Sequence, residues 1–295
     1  MSFVAKLNER GILTTAPKFL YDNTHFECIM GSMAYGCNND DSDWDIYGFC
    51  IPHKEDIFPH LRGEIMGFGR QLNRFEQFQQ HHIDDKEKGK QYDVTIFSIV
   101  KYFHLVMENN PNMIDSLFVP QNLILSISRI GNMVRDKRQM FLHKGAFRKF
   151  KEYAFAQLHK MKSQNREGKR ADVVAKFGYD LKFASHVIRL LDECEQIMQE
   201  QDLNLQRSKE MLKSVRRGDW KLEEVEDYFT NKEKYLEKLY EDSKLPYSPD
   251  EEAIKQLLLN CLEEHFGNLE NAISNPDKYK VAVMDIRNIL ESIKE

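Results

Sequence analysis

Short apolar segments separated by turn residues occupy the first third of the chain. Between residues 26 and 97 these segments read FECIM, WDIYGFCI, EIMGF, RFEQFQ and YDVTIF. Gly, Asn and Pro residues lie between them, which is typical of the turns that connect strands. The pattern therefore predicts a small mixed sheet with one or two covering helices in this part of the chain.

After residue 97 the hydrophobic period lengthens to that of helices. Residues 98–109 carry an apolar stripe at helical spacing that stops at the turn NNPN. Further helical windows follow with only short breaks, at residues 146–163, 172–199, 222–240 and 249–266. We therefore expect an α+β protein, with a mixed head over residues 1–125 and an all-helical domain over residues 126–295.

Composition narrows the class of protein. The chain has 295 residues, of which 41% are hydrophobic, so its core can close without metal or disulfide staples. Forty-two Lys and Arg face forty-seven Asp and Glu, and the net charge of −5 argues against a protein that binds nucleic acid mainly by counterion release. A local basic groove stays compatible with this balance.

The five cysteines are widely spaced and form no CxxC motif, so a disulfide framework or a zinc site is not expected. No apolar run approaches the ~20 residues needed to cross a bilayer, and the N-terminal segment is charged where a signal peptide is apolar. We therefore expect a cytoplasmic protein without a membrane partner.

The most informative stretch is GSMAYGCNNDDSDWDIYGF. Gly31 and Ser32 follow an apolar strand directly, where a residue without Cβ lets the backbone approach a phosphate and the hydroxyl adds a donor. Asp43 and Asp45 open the next strand, and a period of two places both carboxylates on one face. Paired carboxylates repel unless a divalent cation lies between them, and hard oxygen ligands suit Mg²⁺. The pattern predicts a metal-bound triphosphate at this corner.

A third carboxylate would complete a two-metal site. Asp93, within the apolar strand YDVTIF, is the best candidate, because an unpaired charge there is expensive. With Asp43 and Asp45 it would hold two Mg²⁺ ions, or Mn²⁺, about 3.5–4 Å apart. An isolated Asp-X-Asp is usually a solvated loop, and we interpret Asp40 and Asp41 in that way. The combination of motifs favours the site.

This ordered set of motifs resembles the nucleotidyltransferase superfamily that includes DNA polymerase β and the CCA-adding enzymes. More narrowly, it resembles the predicted nucleotidyltransferases of RNA-repair gene clusters and bacteriophages. The resemblance covers roughly residues 20–230 and includes the segments YDVTIFSIVKYFHLVMENNPNMIDSLFVP, KFGYDLKFASHVIRLLDE and MLKSVRRGDWKLEEV.

The resemblance implies a palm-like nucleotidyltransferase domain over residues 1–125. It also implies a metal-dependent transfer of a nucleoside monophosphate from an NTP to an acceptor, with release of pyrophosphate. The motif residues that match are Gly31, Ser32, Asp43, Asp45 and Asp93.

Cationic residues on the helical part are candidates for binding the nucleotide. Lys182, His186 and Arg189 lie at i, i+4 and i+7, and therefore on one helix face. We predict that this face is turned towards the head and binds the triphosphate or the acceptor backbone. The alternative is a solvated or salt-bridged face. Lys176, one turn earlier, is a weaker candidate.

Two further features have less specific interpretations. His81 and His82 lack a partner at metal-ligand spacing, so we interpret them as a pair at a strand end or in a loop. The basic segments RIGNMVRDKRQ and NREGKRAD either guide a nucleic-acid end or solvate the surface.

The leading hypothesis for function is nucleotidyl transfer to a nucleic-acid end, with the 3′-hydroxyl of an RNA or tRNA as the first candidate acceptor. One alternative keeps the chemistry and changes the acceptor to a protein hydroxyl, which the negative net charge supports. The other alternative is an NTP- or RNA-binding module without turnover. The nucleotide, the oligomeric state and the role of the residues after 230 stay open.

Overall fold

The computed structural model describes residues 1–38, 42–58, 74–162 and 168–267, together with residue 286. Asp40, Asp41 and the predicted strand EIMGF lie outside the described residues. In the part of the chain that is described, no helix has both the length and the apolar run that crossing a bilayer requires.

Five strands of the described residues form one sheet in the order β3-β4-β2-β1-β5. Their bounds are Thr24–Ile29 (β1), Trp44–Cys50 (β2), Gln77–Asp85 (β3), Lys90–Ser98 (β4) and Ile124–Ile127 (β5). β2 and β4 are parallel, whereas the other neighbouring pairs are antiparallel. The sheet is therefore mixed, which confirms the predicted fold class.

The helices have the bounds Phe3–Glu9 (α1), Lys18–Asn23 (α2), Gly31–Ala34 (α3), Lys54–Ile57 (α4), Ile99–Met107 (α5), Pro111–Phe118 (α6), Arg129–Asp136 (α7), Gly145–Lys162 (α8), Lys169–Phe177 (α9), Leu181–Glu200 (α10), Lys209–Arg217 (α11), Leu222–Asp242 (α12) and Glu251–Phe266 (α13). Helix α10 is the central helix of the helical part, where it packs against α8, α11 and α12.

The two faces of the sheet have different neighbours. On one face, Ile46 and Val94 pack with apolar residues of α1 and α2 in a small cluster. On the opposite face, Phe49 and Phe97 join the main core, which also includes residues of the helical part. Because strand side chains alternate between faces, Asp45 lies on the same face as Phe49 and is turned towards the helices.

A buried carboxylate links β1 to the start of the chain. Glu27 is fully buried, and its carboxylate accepts hydrogen bonds from the backbone N–H groups of Phe3 and Val4, the second at 2.8 Å. Burial raises the pKa of Glu27 to about 7, although these hydrogen bonds oppose the shift.

The prediction of a single helix over residues 172–199 is wrong. Helix α9 ends at Phe177 and is followed by Gly178, which adopts a left-handed conformation with φ +83°. Helix α10 begins after Asp180, whose carboxylate caps the backbone N–H groups of Lys182 and Phe183. A left-handed glycine and a new N-cap end one helix and start the next, although the apolar period continues across the break.

The predicted division at residue 125 stays a prediction. Strand β5 extends across that position to Ile127 and pairs with β1. One continuous apolar core contains Phe26 and Phe49 from the sheet together with Val187 and Leu191 from α10. The head and the helical part therefore pack around one common hydrophobic core.

Candidate active site

Two of the predicted carboxylates lie on adjacent parallel strands. Asp45 on β2 is the register partner of Asp93 on β4. Register partners in a parallel pair point to the same face, on strands about 4.8 Å apart. Asp43 lies directly before β2 and lines the same cleft. The structure thus places the three predicted carboxylates along the same cleft, with Asp45 and Asp93 in register.

The glycine-serine corner packs against this group. The backbone N–H of Met30, at the end of β1, donates to the backbone carbonyl of Asp45 over 2.6 Å. Gly31 follows with φ +63°, and a Cβ at this position would lie 1.9 Å from Oδ2 of Asp45. Ser32 lines the cleft beside it. Only a residue without a side chain permits this close approach, which explains glycine at the corner.

The electrostatics of the carboxylates favour a cation. Burial, together with the negative charges of Asp93 and Asp43, raises the pKa of Asp45, whereas the charge of Lys182 lowers it. A divalent cation would relieve this repulsion, and carboxylate oxygens are the ligands that Mg²⁺ prefers. No ready-made cluster of three or more metal-binding side chains occurs among the described residues. The three carboxylates are thus ligands of the right chemical type for Mg²⁺, although they do not form a closed ligand group in the described part of the chain, and metal binding stays a proposal.

Asp93 has contacts that the sequence did not predict. Its Oδ2 lies 3.2 Å from Nδ1 of His81, and its Oδ1 accepts the backbone N–H of His82 at 2.7 Å. Both histidines lie within β3, beside an irregularity in the pairing between Gln80 and Ile83. The interpretation of the pair as a strand end or loop is therefore wrong.

A cleft of about 920 Å³ separates the carboxylates from the helical part. This volume is in the range of pockets that hold small molecules. The cleft is also lined by basic side chains of α9, α10 and α11, namely Arg170, Lys182, His186, Arg189, Lys213, Arg216 and Arg217. Asp180 lies among them and pairs with Arg170 at 3.1 Å. The cleft therefore has an acidic side and a mainly basic side.

The predicted face of α10 lines this cleft, but its three members differ. Lys182 is exposed and its charge acts on Asp45. His186 is half-buried at the wall of the cleft, and the loss of hydration there together with the charges of Arg189 and Lys182 lowers its pKa well below the ordinary value. His186 is therefore neutral and offers hydrogen bonds rather than charge.

Arg189 is held inside the protein. Its Nη1 forms ion pairs with Asp115 on α6 and, at 3.0 Å, with Glu193 on α10. The same nitrogen donates to the hydroxyl of Tyr35 over 2.8 Å, and that hydroxyl donates to Asp115 over 2.7 Å. The guanidinium is already neutralised by two buried carboxylates, so we omit Arg189 from the proposed phosphate contacts. It connects the helical part to the head.

Helix α11 supplies basic residues that the sequence analysis did not single out. Arg216 donates to the backbone carbonyl of Cys37 over 2.9 Å and thereby reaches the segment after the glycine-serine corner. Lys213 and Arg217 line the cleft as well, but Glu210 and Asp219 form ion pairs with them. The spacing i, i+3 and i+4 in MLKSVRR was a signal for a common face.

A mixed sheet with carboxylates in register on parallel strands, a glycine-serine corner and a facing helical part is the architecture of DNA polymerase β-type nucleotidyltransferases. The chain belongs to the RlaP family, the RNA repair pathway DNA polymerase beta family, whose model matches residues 14–275. The match confirms the resemblance and extends it beyond residue 230. Membership indicates a nucleotidyltransferase-like role in RNA repair. No curated protein matches the chain at a significant level.

Proposed function

We propose that this protein is a divalent-metal-dependent nucleotidyltransferase that transfers a nucleoside monophosphate from an NTP to the 3′-hydroxyl of an RNA, releasing pyrophosphate. The observation that carries the proposal is the in-register pair of Asp45 and Asp93 beside Gly31. This arrangement places carboxylate oxygens next to a corner whose Ser32 lines the same cleft, while the missing side chain of Gly31 makes room for the carboxylate of Asp45.

Asp43, Asp45 and Asp93 would hold Mg²⁺, as a pair of ions, with Mn²⁺ as a substitute. Bound divalent ions supply charge neutralisation for the triphosphate and increase the acidity of an attacking hydroxyl. Burial, and after it the charges of Asp93 and Asp43, raise the pKa of Asp45, and this charge repulsion supports the role because the same carboxylates would stabilise a cation at the site.

The basic side of the cleft supports triphosphate binding. Neither Lys182 nor Arg216 forms an ion pair with a carboxylate among the described residues, so the charge of each is available to a ligand. Ser32 and the backbone of the corner would bind a phosphate oxygen from the other side. The neutral His186 would donate or accept a hydrogen bond without adding charge. These residues position the nucleotide by charge and geometry, which is the main source of rate in phosphoryl-type transfers.

Membership of an RNA-repair family supports RNA as the acceptor. The cationic lining of the cleft shows that the net charge of −5 is unevenly distributed, which is compatible with a polyanionic acceptor. A protein hydroxyl as acceptor, or nucleotide binding without turnover, are outcomes of the test that follows.

The test is transfer of label from each α-labelled NTP to RNA with a free 3′-hydroxyl or a blocked 3′ end, with Mg²⁺ or with a chelator. Asp45→Asn and Asp93→Asn should each lower transfer by about 10²–10³-fold, because each removes charge stabilisation of the reacting group. Asp22→Asn changes an exposed aspartate of α2 and serves as the matched control.

Transfer by both variants at the rate of the unmodified protein would refute the site. Label on protein and none on RNA would favour the protein acceptor. Nucleotide binding without release of pyrophosphate, over all acceptors, would favour the non-catalytic module.

A further inference from the structure

A chain of hydrogen bonds along β3 ends at Asp93. Gln77, Gln79 and His81 alternate along the strand on the face that carries Asp93, since Gln79 pairs with Thr95, two residues from Asp93. The amide nitrogen of Gln77 donates to Oε1 of Gln79 over 3.2 Å, and the amide nitrogen of Gln79 lies 2.8 Å from Nε2 of His81. Nδ1 of His81 lies 3.2 Å from Oδ2 of Asp93.

These hydrogen bonds all run in one direction, from Gln77 through Gln79 and His81 to Asp93. An amide nitrogen only donates, so Nε2 of His81 accepts from Gln79. The proton of a neutral imidazole then lies on Nδ1, which donates to the carboxylate of Asp93. The contact with Gln79 therefore fixes the tautomer that Asp93 requires.

The irregular pairing of β3 provides a second donor to the same carboxylate. In a regular strand, consecutive residues such as His81 and His82 serve opposite faces. Here His82 has φ +55°, the register shifts between Gln80 and Ile83, and the backbone N–H of His82 donates to Oδ1 of Asp93 over 2.7 Å. A bulge that redirects a donor in this way is typical of strands beside active sites. Each oxygen of Asp93 is thus held by one donor.

We propose that His81 is a positioning residue that fixes the carboxylate of Asp93 for metal binding. The inference rests on the proposed function, in which Asp93 is a metal ligand. An ionised carboxylate has about four lone-pair positions, so the two hydrogen bonds leave one on each oxygen for a cation. Hydrogen bonds of this kind orient metal ligands, and their loss typically lowers metal affinity or activity about 10–100-fold.

These hydrogen bonds contribute little to the stability of the fold. The side chain of His81 is 50% exposed and that of Asp93 is 23% exposed. Gln77 and Gln79 are also exposed. Polar pairs in such surroundings contribute little to the free energy of unfolding, because water competes for the same groups. The effect of His81 on metal binding is therefore separable from its effect on folding.

The experiment measures Mn²⁺ affinity by electron paramagnetic resonance, together with kcat and KM for the NTP. His81→Ala should weaken Mn²⁺ binding and lower kcat about 10–100-fold, with KM for the NTP within about threefold of its original value. His81→Asn should retain most of the Mn²⁺ affinity and most of kcat, because the amide N–H of asparagine lies near the position of Nδ1. Asp93→Asn removes the proposed metal ligand itself and gives the reference for complete loss of Mn²⁺ binding and of kcat.

His104→Ala is the matched control. His104 is an exposed histidine of α5 that pairs with Glu108 at 3.4 Å and lies outside the residues that line the cleft. This variant should bind Mn²⁺ as the unmodified protein does. Unchanged Mn²⁺ affinity in His81→Ala, or an equal loss in His104→Ala, would overturn the proposal. A protein that transfers no nucleotide but binds Mn²⁺ with this dependence on His81 would refute the proposed function and keep the positioning role.

Discussion

Replacement of Gly31 by alanine tests the close approach of the glycine-serine corner to Asp45. A Cβ at Gly31 would lie 1.9 Å from Oδ2 of Asp45, whereas real Cβ contacts are essentially never below 3.0 Å. The difference, 3.0 − 1.9 = 1.1 Å, is the least distance by which the carboxylate or the corner must move. Because the backbone of β2 is fixed on both sides by pairing, we expect the carboxylate to move.

Two effects of Gly31→Ala have separate magnitudes. The positive φ of +63° costs an alanine about 1–2 kcal/mol of unfolding free energy. A displacement of a reacting group by about 1 Å costs about 10²-fold in rate. We therefore expect a protein that folds with a modest loss of stability and transfers nucleotide about a hundredfold more slowly.

The assay combines urea unfolding with nucleotide transfer and uses Gly11→Ala as its control. Gly11 has φ +68°, and nothing lies within 4 Å of the position of its Cβ. That variant should show the same loss of stability and transfer nucleotide normally. Transfer by Gly31→Ala within about threefold of Gly11→Ala would show that the packing against Asp45 does not control the site.

Two further predictions concern buried charges. Arg189→Met leaves the carboxylates of Asp115 and Glu193 buried without a cation, so urea unfolding should show a loss of about 3–5 kcal/mol; a loss below about 1 kcal/mol would contradict the ion-pair assignment. Burial raises the pKa of Glu27 from 4.5 to about 7, so its contribution to the free energy of unfolding is fully present below pH 4.5 and is lost as the pH rises through about 7. The free energy of unfolding of Glu27→Gln, relative to that of the unmodified protein, should therefore increase by up to about 3 kcal/mol between pH 4.5 and 8. An equal pH dependence in both proteins would contradict the assigned shift.

The local parts of the site could be predicted from the sequence. The period of two in WDIYGF placed Asp45 on one face of a strand, and the apolar strand around Asp93 was equally clear. Their proximity depends on β2 and β4 being parallel neighbours, which is a property of topology. The resemblance to a known superfamily, rather than the spacing of residues, provided that information.

Other parts of the site depend on contacts between distant segments. The spacing of basic residues on α10 does not distinguish Lys182, which has no ion pair among the described residues, from Arg189, which is paired with Asp115. Asp115 lies on a different helix, so the pairing is not visible in the local sequence. The contact of His81 with Asp93 depends on a bulge, and a one-residue irregularity has no clear signature in a polar strand. Sequence patterns gave the elements, but the pairing of charges requires the packed structure.

The parallel register of β2 and β4 restricts how this chain can change length during evolution. A single residue inserted within β4 before Asp93 would rotate that carboxylate to the opposite face, among the apolar residues that pack on α1 and α2. A two-residue insertion would preserve the facing direction but shift Asp93 along the strand from Asp45. Insertions and deletions are therefore tolerated in the turn between β3 and β4 much more readily than inside the strand.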